Sequence, residues 1–236
     1  MKTIYSLLLL PVLCAAVQSQ GLVVSVKNPL KIARPNAVIE VSANAPALKA
    51  QKWDLNECYV RLEGSVDQIA SQSIDEDGDG RADLLVFQAD LGPSETKRFF
   101  LGSGPRAAEV ETKTDARFVL PREDFAWEND RIAFRMYGPA MAKDVSNGID
   151  VWTKRVRYPI VQKWYKMSEG SAPGKDTYHV DKGEGADFFS VGRTLGAGGS
   201  AIFDGDSLYQ PGVFARQRVI ASGPIRAQFE LTYNPI

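Results

Sequence analysis

Apolar residues in this chain recur mostly at every second position, in short runs. LVVSVKNPL and AVIEVSA are rich in β-branched residues and close on Asn, Pro or Ala, the pattern of half-buried strands ended by turns. YVRLEG, LLVFQADL and TKRFFLG continue the series, with Gly, Pro, Asp and Asn between them. The spacing predicts an all-β fold, with an antiparallel β-sandwich over residues 20–105. The polar stretch GSGPRAAEVETKTDA is the expected boundary, and a second β region occupies residues 106–236.

The alternation in that second region places specific side chains on common faces. In RIAFRMYG, Ile132, Phe134 and Met136 point one way, and Arg135 and Tyr137 the other. IDVWTKRV puts Asp150, Trp152 and Lys154 together, and IRAQFELTY turns Ile225, Ala227, Phe229 and Leu231 inward. The one segment with a helical or turn reading is VQKWYKMSEG. No solenoid repeat, heptad, P-loop or dinucleotide-binding glycine pattern occurs, so no organic cofactor is expected. FELTYNPI ends the chain directly after a well-patterned strand. That leads us to expect a C-terminally truncated version of a longer protein.

The first residues break the strand pattern. In MKTIYSLLLLPVLCAAVQSQG, Lys2 precedes an apolar run over 4–17 that is short for a bilayer span. Val17 and Ser19 supply small residues for cleavage after Ser19. The segment 1–19 therefore reads as a signal peptide of a periplasmic or secreted protein, with no membrane span after its removal. Lipoprotein anchoring at Cys14 ranks second, because Leu13 stands where a small residue is expected. The mature chain would keep one cysteine, Cys58, too few for a disulfide or a multi-cysteine zinc site. Flanked by Tyr59 and Val60, Cys58 reads as a small half-buried strand residue rather than a nucleophile.

Composition adds exclusions more than assignments. The 236 residues suffice for one core or two modest domains, and 44% hydrophobic with 24% charged residues is ordinary for a globular chain. A formal net charge of −1 without a basic run argues against a nucleic-acid partner.

Two local patterns carry candidate chemistry. In SIDEDGDGRADLLVF, Asp75, Asp77 and Asp79 alternate, Gly80 follows, and Asp83 comes after Ala82. Hard cations prefer several oxygen ligands around a tight turn, so we place a structural calcium ahead of a bare Asp/Gly turn. The EF-hand pattern is incomplete, since Val86 stands where its twelfth-position glutamate would be. The second pattern is YHVDKGEGADFFSVG. It holds the only histidine, His179, with Tyr178, Asp181, Glu184 and Asp187 nearby, and the glycine-rich GRTLGAGGSA follows. Those glycines could let backbone approach a ligand closely.

A sugar site needs an aromatic platform and polar groups for hydroxyls, and a uronic acid adds a carboxylate that arginine recognises. Trp152, Lys154, Asp150, Asp181 and Glu184 are the candidate substrate-binding residues. Arg135 as carboxylate clamp, with His179, Tyr137 and Tyr178 as proton carriers, would support β-elimination if they converge. An ordinary solvated sheet face accounts equally for Arg135, Tyr137 and Lys154, and a surface or packing role for His179.

ENDRIAFRMYGPA, NGIDVWTKRVRYPIVQKWY and YHVDKGEGADFFSVGRTLGAGG, in this order, resemble the domain-of-unknown-function family DUF4861. The acidic turn leading into ADLLVFQAD is similar to the N-terminal part of the same family, so the resemblance spans nearly the whole mature chain. It implies exported bacterial proteins, typically longer than this one and encoded beside polysaccharide-degrading enzymes. It also implies a mutarotase-like β-supersandwich and acidic glycans rich in uronic acid and rhamnose, but no settled catalytic residues. The leading expectation is a lyase or dehydratase acting on acidic oligosaccharides. The alternatives are a non-catalytic carbohydrate-binding protein, a hydrolase using Asp181 and Glu184, and a mutarotase-like enzyme.

Overall fold

A computed structural model of the chain describes residues 21–107, 110–145, 148–169 and 177–235. The expected signal segment, with Cys14 and its cleavage point, lies outside the described residues. The architecture is all-β and antiparallel throughout its sheets, as the alternation predicts.

The N-terminal part contains β1 (Gly21–Lys27), β2 (Arg34–Ser42), α1 (Pro46–Gln51), β3 (Cys58–Leu62), β4 (Gln68–Ile69), β5 (Ser71–Ile74), β6 (Leu84–Leu91) and β7 (Thr96–Ser103). They form two sheets, ordered β1-β7-β3-β4 and β2-β6-β5. Leu85 and Phe87 from β6 meet Val60, Phe99 and Leu101 from the other sheet in a common core. Phe87 and Phe99 lie 4.9 Å apart between ring centroids. Cys58 is fully buried in this core rather than half-buried, and desolvation pushes its thiol up to about 11, which keeps it protonated and unreactive. The short strands β4 and β5 are absent from the sequence reading because QIASQSI lacks β-branched density, and the acidic loop leads into β6. The helix α1 was also unforeseen. Pro46 opens it and the left-handed Lys52 closes it within two turns.

The second part contains β8 (Asp115–Val119), β9 (Asp124–Glu128), β10 (Ile132–Met136), β11 (Ile149–Lys154), α2 (Val161–Glu169), β12 (Gly185–Ala186), β13 (Ile202–Asp204), β14 (Ser207–Tyr209), β15 (Arg216–Ser222) and β16 (Ala227–Thr232). Five strands form a sheet ordered β12-β11-β10-β9-β8, while β13-β14 and β15-β16 are separate hairpins. On one face of the five-stranded sheet, Phe125 and Trp127 pack on Phe229 of β16 at 4.6 and 4.9 Å between centroids. On the other face, α2 and the following segment bring Trp164, Tyr165 and Tyr178 over Trp152. Both faces are therefore covered. The solvated face considered for Arg135 and Lys154 does not exist: Arg135 is 2% exposed and the Lys154 side chain 0%.

The helix α2 is held by an acid from the sheet. Glu128 accepts from the Ile160 and Val161 amides at 2.8–2.9 Å, and Lys154 Nζ donates to Glu128 Oε2 at 2.6 Å. A carboxylate at a helix N-terminus takes up amides that have no intrahelical acceptor. The pair Lys154–Glu128 thus fixes the helix whose aromatic residues roof the site below.

Candidate functional site

Sheet register assembles the site. Arg135 of β10 stands opposite Asp150 of β11 and Ala126 of β9, and Ala133 opposite Trp152 and Glu128. Cross-strand partners share a face, so Asp124, Ala126 and Glu128 join Ala133, Arg135, Asp150, Trp152 and Lys154 beneath α2. Arg135 occupies the centre. Its Nη1 donates to Tyr178 Oη at 2.9 Å, and its Nη2 reaches Tyr137 Oη at 2.8 Å, Asp187 Oδ2 at 3.3 Å and, closest of all, Asp150 Oδ2. Asp124 Oδ2 lies 4.0 Å from Nη1 and accepts from Tyr165 Oη at 2.9 Å. The guanidinium also sits over the Tyr137 ring at 4.5 Å and the Trp152 ring at 5.1 Å.

Three buried carboxylates thus share Arg135, with Arg122 adding a half-exposed contact of 3.3 Å to Asp124. Asp124 is held above the usual carboxylate range by desolvation, which outweighs its two arginines. Asp187 is pushed up to about 6, first by desolvation and then by the Asp150 charge, against Arg135 and His179. Desolvation likewise raises Tyr137, which therefore keeps its phenolic proton.

Above this cluster opens a pocket of about 290 Å³ lined by Arg135, Tyr137, His179, Asp187, Phe188, Phe189 and Ser190. Phe188 and Phe189 are 66% and 46% exposed, so aromatic surface stands at its rim. His179 Nδ1 lies 3.1 Å from the Asp187 carbonyl oxygen and 3.4 Å from Asp187 Oδ2. A carbonyl oxygen only accepts, so the neutral ring carries its proton on Nδ1, and Nε2 has no hydrogen-bond partner among the described residues. Asp187 also donates its amide to the Tyr178 carbonyl at 2.9 Å, closing the loop on itself.

The expected carboxylate clamp Arg135 and the three expected proton carriers, Tyr137, Tyr178 and His179, are brought together. Their roles differ in accessibility. Both Nη nitrogens of Arg135 serve protein acceptors and its Nε is buried. A substrate carboxylate could reach it only by displacing Asp150 or Asp187. Tyr178 is 3% exposed and packs tilted against Trp152, with centroids 4.9 Å apart.

Of the expected sugar-contacting residues, Trp152, Asp150 and Lys154 lie in the interior, so Trp152 has no free face for a sugar ring. Asp181 and Glu184 lie outside the pocket. Asp181 pairs with Arg155 at 3.0 Å, and Glu184 with Lys163 at 2.7 Å. Within GRTLGAGGSA, Gly196 approaches β11, where the Ala197 amide donates to the Ile149 carbonyl at 2.8 Å and a Cβ on Gly196 would sit 2.3 Å from that oxygen, whereas Gly192 and Gly198 border open space. Sequence reasoning passed over Asp124, Tyr165, Phe188, Phe189 and Ser190. The polar alternation of Asp124 and Glu128 around Ala126 was the available signal for an inward charged face.

The acidic loop stands apart from this pocket. Oxygens of Asp75, Asp77 and Asp83 lie within 4.8 Å of one another, while Asp79 is outside the group. Both Asp75 oxygens accept backbone amides, from Gly78 at 2.7 Å and Gly80 at 2.8 Å, and these bonds lower its pKa.

Fold and site together define an all-β protein with a pocket lined by His179, Tyr137 and Asp187 over a buried arginine–carboxylate cluster. The chain belongs to the family described as Domain of unknown function (DUF4861), whose model matches residues 26–236. It is 37% identical over 232 residues to Uncharacterized protein P7 of Formosa agariphila, covering 93% of this chain and 58% of that protein. The chain thus spans little more than half the length of this relative. No solved structure matches it. Among the described residues, no helix is long and apolar enough to cross a membrane.

Proposed function

We propose that this is an exported enzyme that performs proton-transfer chemistry on acidic oligosaccharides, by β-elimination at the pocket of His179 and Tyr137. The observation that carries the reading is their convergence. A histidine whose Nε2 has no partner among the described residues and a tyrosine held as the phenol line one pocket, beside Asp187 and two exposed phenylalanines.

In this reading His179 Nε2 takes the proton α to the uronate carboxylate, and the electron pair forms the new carbon–carbon double bond. The bond to the leaving oxygen breaks, and that oxygen receives the Tyr137 proton. Arg135 positions Tyr137, Asp187 and Tyr178 and does not touch substrate. The Phe188 and Phe189 rings offer the apolar platform that Trp152 cannot. Asp181 and Glu184 are committed to basic partners, so the hydrolase alternative has less support. A structural calcium at Asp75, Asp77 and Asp83 completes the proposal. Their donors are all carboxylate oxygens, the chemistry that a hard cation requires. Export rests on the pattern of residues 1–19.

The test is incubation with a panel of uronate oligosaccharides, following the ultraviolet absorbance of the unsaturated product and product masses. We expect turnover that falls at least about 100-fold in His179→Ala, the scale of a lost general base. New products without that absorbance would indicate hydrolysis. Binding without turnover would indicate a carbohydrate-binding module.

A further inference from the structure

The N-terminal sandwich carries a further pocket, of about 380 Å³, between the α1 segment and the end of the acidic loop. Lys49, Lys52, Trp53, Asp54 and Arg81 line it beside Leu48 and Leu55. Local folding fixes both walls. Leu48 and Leu55 are anchored in the sandwich core, which leaves Lys49 at the surface beside Leu48. Lys52 ends α1 in the left-handed conformation, its amide donating to the Leu48 and Lys49 carbonyls at 3.0 and 3.3 Å. Across the pocket, Asn56 Nδ2 donates to the Gly80 carbonyl at 3.2 Å, and the Ala43 amide to the Asp83 carbonyl at 2.7 Å. The loop end that carries Arg81 is thereby tied to the α1 side.

The charges in this pocket do not balance. Every lining residue falls within the described segments 43–55 and 81–82. Lys49, Lys52 and Arg81 are exposed, and their side chains form no ion pair among the described residues. Asp54 is the only acid in the lining, and its Oδ1 accepts the Asn56 amide at 2.9 Å. The acids flanking Arg81 in the chain hold backbone amides instead: Asp79 accepts from Arg81 at 2.8 Å, and Asp83 from Glu76 at 2.8 Å. Three cations therefore meet one acid, whereas the arginine at the His179 pocket is sequestered by carboxylates. Trp53 is half-buried against the sandwich core, and among the described residues no ring packs on it and its Nε1 has no acceptor. An indole face beside unpaired cations suits a sugar ring that carries an oxyanion, since the ring takes the apolar face and the cations take the charge.

We propose that this pocket binds one residue of an anionic saccharide, whose carboxylate or sulfate ester meets Lys49, Lys52 and Arg81 while its ring lies against Trp53. The site holds its ligand and does no chemistry on it. Its ligand class matches the substrate proposed for the His179 pocket, but the inference rests on this pocket's own residues and not on that reaction.

Titration of the intact chain with digalacturonate, lactose monosulfate and lactose, followed by tryptophan fluorescence, tests it. The signal is specific, because Trp53 lines this pocket and no tryptophan lines the one at His179. We expect a saturable change with one or both anionic sugars, none with lactose, and loss of the change in Trp53→Phe. The preferred anion separates a carboxylate ligand from a sulfate. Lys49 and Lys52 are exposed, so the double variant Lys49→Glu with Lys52→Glu reverses two charges without disturbing the core. It should weaken binding at least about tenfold and leave turnover at the His179 pocket unchanged. His179→Ala should keep the fluorescence response, so failure of this site and failure of the proposed reaction are read separately. An equal response to lactose, no saturable response to either anion, a response that survives Trp53→Phe, or an affinity untouched by the double variant would overturn the proposal.

Discussion

Asp187 is the residue through which pH acts on the site. Its folded pKa of about 6 lies above the ordinary 3.8 because burial and Asp150 disfavour its charge more than Arg135 and His179 favour it. Between those two values the folded chain keeps a proton that the unfolded chain has released. This group's contribution to stability therefore falls as pH rises through that window. Asp187→Asn removes the titration, so its urea midpoint should change less than the parent's between the two ends of the window. An unchanged slope would show that another group titrates there. In the sequence Asp187 was one acid among several in a glycine-rich loop. Its importance comes from Arg135, 52 positions away, and no local pattern announces a partner that distant.

At the scale of elements, the strand alternation gave the right faces but not their surroundings. Asp150, Trp152 and Lys154 do share a face with Arg135. That face looked solvated because it is polar, yet α2 covers it, and the charges survive burial by pairing with one another. The Lys154–Glu128 pair is where this arrangement can be tested. Glu128→Gln should destabilise the chain by about 3–5 kcal/mol, the usual cost of leaving a buried charge without its partner. The double variant Glu128→Gln with Lys154→Met should recover part of that loss. Urea unfolding of the three variants, Lys154→Met included, measures the coupling as a double-mutant cycle. Additive losses would mean that the pair does not hold α2 as described.

At the scale of the whole molecule, the N-terminal sandwich and the β15-β16 hairpin meet through a few polar contacts. Gln72 accepts from the Ile225 and Arg226 amides and donates to the Arg226 carbonyl, all at 2.9–3.0 Å. Gln228 donates to Glu76 at 2.9 Å, so the acidic loop also touches this seam. A calcium in the loop should therefore stiffen both sides. We expect calcium to raise the melting temperature and a chelator to lower it, with the difference lost in Asp77→Asn, which keeps the turn-forming side chain but not its charge. Equal melting temperatures with and without calcium would mean that the loop is held by its own amide bonds, those of Asp75 to Gly78 and Gly80 among them.

The sequence by itself determined the all-β class, the strand faces, the family, and the four residues that gather around the pocket. These follow from period-two alternation and from local motif order, which neighbouring residues encode. Only the tertiary structure decided that Arg135 is sequestered by carboxylates, and that Trp152 is core while Phe188 and Phe189 are surface. Burial and ion pairing depend on what packs across a face from tens of residues away, and the alternation of one strand carries no record of it.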